Sequence, residues 1–149
     1  MRMKGYPGWF YRTLLATTGA LFVSGSLLIP TALEMKLEWE VPWRLTGDPQ
    51  IAMAALHASA AFLAAAVVGA LWSIHMRAGW KKRKNHRTGI ALLASMLLLG
   101  ITAIGIYYLG EDQAALCASV AHMLIGVLLL LFLAVHIVAG WRVRSQHQH

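Results

Sequence analysis

The sequence predicts an all-α integral membrane protein, a four-helix bundle with both termini in the cytoplasm. The first observation is composition. Of 149 residues, 58% are hydrophobic and 13% charged, whereas a soluble domain carries about 25% charged residues. The second is that four stretches reach the length of about 20 largely apolar residues that a membrane span requires. The third is an alternation of charge from one inter-span segment to the next. Arg2, Lys4 and Arg12 precede the first span, and the segment after it carries Glu34, Glu38, Glu40 and Asp48 against Lys36 and Arg44. Arg77, Lys81, Lys82, Arg83, Lys84 and Arg87 follow the second span, Glu111 and Asp112 the third, and Arg142 and Arg144 the fourth. Lys and Arg accumulate on the cytoplasmic side of membranes, so this order sets the orientation and implies a multi-pass protein of the inner (plasma) membrane. It also accounts for the net charge of +7: the partner is membrane lipid, and nucleic acid is excluded.

The first span is expected over residues 13–33, with Pro30 near its end. No convincing small-residue cleavage site precedes Pro30, so the stretch reads as a retained span and not as a signal peptide. The second is expected over residues 49–76, with Asp48 as N-cap and Pro49 in the first helical position. The third is expected over residues 88–109 and the fourth over 114–140. Trp9, Trp80 and Trp141 fall at the basic ends, and Trp39, Trp43, Tyr107 and Tyr108 at the opposite ends, as aromatic belts do at bilayer interfaces. The connections are short, which favours an antiparallel bundle and one membrane domain over residues 1–149. The lone Cys117 forms no internal disulfide and no Cys-x-x-Cys pair, and it reads as a packing residue.

Four histidines lie within apolar spans, His57 and His75 on the second, His122 and His136 on the fourth. An ionisable residue inside a span is expensive and is a functional hypothesis by default. The alternative for any one of them is a buried histidine bonded to a neighbouring helix. His57 and His75 are 18 residues apart, five turns at about 3.6 residues per turn, so an uninterrupted α-helix puts both on one face. His122 and His136 are 14 residues apart, about 40° short of four turns. The axial separations are about 27 Å and about 21 Å, which places one histidine near each side of a hydrocarbon core about 30 Å thick. Both spans run in the same direction. Side by side they offer two facing pairs, His57 with His122 and His75 with His136.

The spans contain no acidic residue, and zinc wants a third protein ligand. A flat macrocycle whose iron takes one axial imidazole from each side fits the pairing. Ala58, Ala61, Ala65, Gly69 and Gly126 would make room for it, although close helix packing explains such small residues equally well. "SIHMRAGWKKR" at 73–83 and "AVHIVAGWRVR" at 134–144 repeat the pattern His-x-x-Ala-Gly-Trp-basic. This marks His75 and His136 as equivalent inner positions. Arg77 and Arg142 then lie at headgroup level, where haem propionates need cations.

In this pattern the chain resembles the small four-helix di-haem cytochromes b, such as the membrane subunits of formate dehydrogenase and nickel-iron hydrogenase. "HMLIGVLLLLFLAVHIVAGWR" at 122–142 carries the resemblance best, and "HASAAFLAAAVVGALWSIHMRAGWK" at 57–81 is a looser match. The resemblance implies two non-covalent b-type haems with bis-histidine iron ligation by His57, His75, His122 and His136. It further implies electron transfer between the quinone pool and a redox partner subunit, such as a cytochrome c, an iron-sulfur protein or a dehydrogenase. On this reading the chain is a subunit of a quinone-linked oxidoreductase complex and not an enzyme alone. Members of that family often take a ligand from the first span, which has no histidine here, and His86 in "HRTG" could replace His75, line a quinone site or simply begin a helix. A subunit binding chlorophyll-type magnesium through single histidines is the alternative from another class. A small transporter is disfavoured by the absence of acidic residues from the spans.

Overall fold

The computed structural model describes residues 6–82 and 85–145, without the side chains of residues 73, 74, 81, 82 and 143–145. Helices α1 (Gly8–Leu37), α2 (Gly47–Leu71), α4 (His86–Tyr108) and α5 (Asp112–Ser145) are the long ones, and the short α3 (Arg77–Lys82) follows a wide π-turn at Trp72–Met76. No strand occurs among the described residues. The four long helices are each long and apolar enough to cross a membrane. Phe62, Ile101 and Leu124 are among many large apolar side chains left exposed on them. In water such faces would be an aggregation liability, whereas lipid solvates them. The chain is thus a multi-pass helical membrane protein.

The chain divides into two compact units, Met1–His75 and Met76–His149. The first is the hairpin α1–α2 and the second the hairpin α4–α5. In the first hairpin the buried face of α1 consists of Phe10, Thr17, Ser24 and Thr31, one residue in every seven. That period is the seam of helices crossing at a shallow angle. The matching face of α2 holds Ala60, Ala64, Val67 and Leu71. Small residues suit this seam because lipid supplies no hydrophobic drive for helices to associate, so close backbone approach and interhelical hydrogen bonds must do so. Around the α1–α2 connection, Arg44 Nε pairs with Glu34 at 3.0 Å and Thr31 donates to the Leu45 carbonyl at 3.2 Å.

Helix α1 continues past Pro30 to Leu37, beyond the expected end at residue 33. It stops at Glu38, which takes the left-handed conformation with φ 54°, a common way to end a helix. Helix α2 begins at Gly47, just before the expected cap, and no side-chain cap bond forms there. Gly47 has φ +62°, a conformation open to glycine without strain. Asp48 lies in the first turn, where the helix dipole favours a carboxylate. The expected continuous helix over residues 49–76 is broken at residue 72 by the wide turn.

In the second hairpin α4 and α5 pack tightly at Gly105, where an added Cβ would lie 3.0 Å from Ala118 Cβ and 3.2 Å from Leu109 Cδ1. Gly105→Ala should therefore destabilise this hairpin by about 1–3 kcal/mol through overpacking. In the first hairpin the buried Thr17 hydroxyl has no hydrogen-bond partner, so Thr17→Val should be neutral or stabilising by about 1 kcal/mol. Reversible unfolding in mixed detergent micelles measures both, and opposite signs are expected.

Candidate functional site

The structure brings a hydroxyl-bearing side chain to each of the four span histidines. In the first hairpin Ser24 Oγ lies 2.9 Å from His57 Nδ1. In the second, Thr102 Oγ1 lies 3.0 Å from His122 Nδ1 and Thr88 Oγ1 lies 2.8 Å from His136 Nδ1. At His75 the contact is to the backbone: its N–H donates to the Tyr6 hydroxyl at 3.3 Å.

The direction of the three ring contacts follows from where each hydroxyl sends its own proton. Ser24 donates to the carbonyl of Ala20, one turn back on α1. Thr102 donates to the Leu98 carbonyl at 2.8 Å, and Thr88 to Asn85 Oδ1 at 2.6 Å. A hydroxyl has one proton to give and two lone pairs, so with that proton on the carbonyl or amide oxygen each hydroxyl oxygen can accept from an Nδ1–H. Asn85 Nδ2 also approaches His136 Nδ1, at 3.4 Å, but it donates at 2.9 Å to the His136 carbonyl. The Thr88 contact is the shorter of the two. In the Nδ1–H tautomer all three contacts are satisfied and the basic lone pair lies on Nε2. Metal-ligating histidines are held in this way, with the other ring N–H given to an oxygen acceptor that fixes tautomer and orientation.

The register of each hairpin explains why the hydroxyls arrive where they do. In an antiparallel pair, equal spacings on the two helices meet at both ends. Thr88 and Thr102 are separated by 14 residues, as are His122 and His136, and Tyr6 and Ser24 are separated by 18, as are His57 and His75. These partners lie on the first and third spans and at the N-terminal end, outside the histidine-bearing spans. The matched spacings were the signal that could have found them.

Glycines adjoin two of the hydroxyls and let the rings sit against the facing helix. A Cβ on Gly25 would lie 3.1 Å from His57 Cε1, and one on Gly89 would lie 3.6 Å from His136 Cε1. His57, His122 and His136 are half-buried and His75 is exposed, at the wide turn. Arg77 opens α3 and Arg142 lies in the last turns of α5, both exposed. His86 is the first residue of α4, with Trp80 edge-on to its ring at 5.5 Å. Among the described residues no three of His, Cys, Asp and Glu come together as a metal cluster. His147 and His149, to which the sequence gives no role, lie outside the described residues.

No protein family, curated protein or solved structure matches this chain.

The two glycines separate packing from helix propensity. Alanine stabilises either helix by up to about 1 kcal/mol, but only at Gly25 does the new methyl press on a ring at 3.1 Å. Gly25→Ala should displace the His57 imidazole and shift its Cε1 and ring nitrogen resonances in histidine-labelled protein. Gly89→Ala should leave those of His136 nearly unchanged.

Proposed function

We propose that the chain is a di-haem membrane cytochrome b, an electron-transfer subunit that carries electrons between the quinone pool and a redox partner subunit. The observation that supports it most is the hydroxyl beside Nδ1 of His57, His122 and His136, the kind of oxygen partner that orients a metal-ligating imidazole. The alternation of charged segments supports an inner-membrane location with both termini cytoplasmic.

A bound haem supplies a one-electron iron couple. The residues of this chain supply the rest. His57 and His122 would hold the outer haem, and His75 and His136 the inner one. Level-matching along the second and fourth spans of the sequence and the His-x-x-Ala-Gly-Trp repeat motivate this pairing. Ser24, Thr102 and Thr88 orient three of the rings, and the apolar spans exclude water from them. Arg77 and Arg142 would offer cations to the inner propionates. Electrons enter and leave through partners, a quinone or quinol at one end and a cytochrome c, iron-sulfur or dehydrogenase subunit at the other.

The purified protein should give about two haems per chain in a pyridine haemochrome assay, extractable by acidified acetone because no Cys-x-x-Cys-His attachment motif occurs. His57→Ala and His122→Ala should lose one and the same haem, His75→Ala and His136→Ala the other, and His86→Ala should retain both. A chain with bound magnesium pigment and no haem would sink this reading in favour of a pigment-binding subunit. Loss of the inner haem in His86→Ala but not in His75→Ala would move that ligand to the third span.

The two haems should also differ in potential. Arg77, Lys81 and Arg142 flank the inner histidines in sequence, and Glu34, Glu38, Glu40 and Asp48 lie between the first and second spans. Positive charge favours the reduced state of a nearby iron, so a redox titration of the ligand variants should place the inner haem at the higher potential.

A further inference from the structure

The Tyr6 hydroxyl occupies an unusual place. It donates to the carbonyls of Ala70 and Leu71, each at 3.2 Å, and accepts the N–H of His75 at 3.3 Å. In an α-helix the N–H of residue 75 would bond to the carbonyl of residue 71, and in a π-helix to that of residue 70. One phenol oxygen therefore lies against the backbone ladder at the carbonyls and the N–H that the wide turn re-pairs. The wide turn Trp72–Met76 lies at this point. A side chain inserted into the helical ladder is a recognised cause of such a distortion.

The consequence for His75 is rotational. Counted on α geometry, His75 lies five turns from His57 and shares its face. A π-turn takes up one extra residue, which sets the side chains beyond it back by roughly 100°, and His75, the fourth of its five residues, takes up most of that rotation. The direction of the His75 ring about the helix axis thus depends on whether the turn is wide or regular. Tyr6 is also held from its other side, since its ring stacks on Phe10 with centroids 4.5 Å apart, and Phe10 is buried in the α1–α2 seam. Tyr6 precedes Ser24 by the spacing at which His75 follows His57, so the hairpin register delivers the phenol to this level.

We infer that Tyr6 is a positioning residue for His75: its hydroxyl holds the wide turn open, and the wide turn sets the direction of the imidazole. Removal of the hydroxyl lets the N–H of His75 return to the Leu71 carbonyl, and the ring swings toward the face of His57. This rests on the reading of His75 as a haem ligand only for its spectroscopic consequence, because the backbone consequence is independent of any haem.

The test is Tyr6→Phe in the full-length, haem-loaded chain, a change that keeps the ring stacked on Phe10. Amide hydrogen exchange at His75 should slow about fivefold, the effect of exchanging the bond to the phenol for a regular one to the Leu71 carbonyl. The electron paramagnetic resonance signal and midpoint potential of the haem lost in His75→Ala should shift in Tyr6→Phe, and those of the other haem should not. Ser24→Ala is the converse control and should move only the haem lost in His57→Ala. Unchanged exchange at His75 would overturn the inference, and so would altered exchange with both haem signals unmoved. If His75→Ala retains both haems, the ligand assignment fails and the exchange arm alone decides the role of Tyr6.

Discussion

The hydrogen bond between a seam hydroxyl and a histidine Nδ1 joins the packing of this protein to the chemistry of its candidate site. A membrane helix pair cannot rely on hydrophobic burial, because the surrounding lipid is as apolar as the side chains themselves. An imidazole placed there must find a polar partner, since leaving it without one costs free energy. Ser24, Thr88 and Thr102 meet both needs. Each is small enough for close helix approach, and each gives one nitrogen of a ring a polar partner. The neighbouring Gly25 and Gly89 extend the same arrangement by removing the side chains that would otherwise fill the ring's place.

That bond also constrains the register of each hairpin. With Ser24 opposite His57 the α1–α2 pair is locked in one alignment, and the seam of Phe10, Thr17, Ser24 and Thr31 follows in steps of seven. In the second hairpin two such bonds fix α4 against α5 at two levels, and the close approach of Gly105 to Ala118 lies near the Thr102–His122 one. Each polar contact thus limits sliding, which uniform apolar faces would permit. Specifying register is a well-attested role of polar groups in helix seams.

The span architecture was legible in the sequence because length and apolarity alone decide it: the four helices occur where hydropathy and charge place them, with ends shifted by a few residues. The histidines stood out for the same reason, as ionisable residues in apolar runs. Their hydroxyl partners did not. Ser and Thr are common in membrane helices, and a single one bonds to the carbonyl one turn back, as Thr18 does to Leu14. Only the equality of spacings on paired helices separates Thr88 and Thr102 from such residues, and that equality has meaning only once the pairing is known. The wide turn was illegible for a different reason. Nothing in "WSIHM" departs from helical composition, because its cause is a tyrosine some seventy residues earlier in the chain.

The two hairpins reach similar ends with unequal spacing, and the difference falls on one residue. On α5 the histidines are 14 residues apart with regular helix between them, and on the second span they are 18 apart with the second inside the wide turn. Four extra residues are about one turn, roughly 6 Å of additional rise, so His75 lies further toward the basic segment than a 14-residue spacing would put it. A π-turn partly offsets this, since a wider turn advances less along the axis for each residue it contains. The distortion then reads as an adjustment of both the height and the direction of one side chain. It falls at the histidine whose ring differs most from the other three, exposed where they are half-buried. A helix departs from ideal geometry at a cost and persists only where something over-determines it. Here the phenol of Tyr6 does so, held by Phe10 on one side and three backbone groups on the other. The N-terminal end of α1 thereby acts on a residue at the far end of the second span, by a contact that neither segment displays alone.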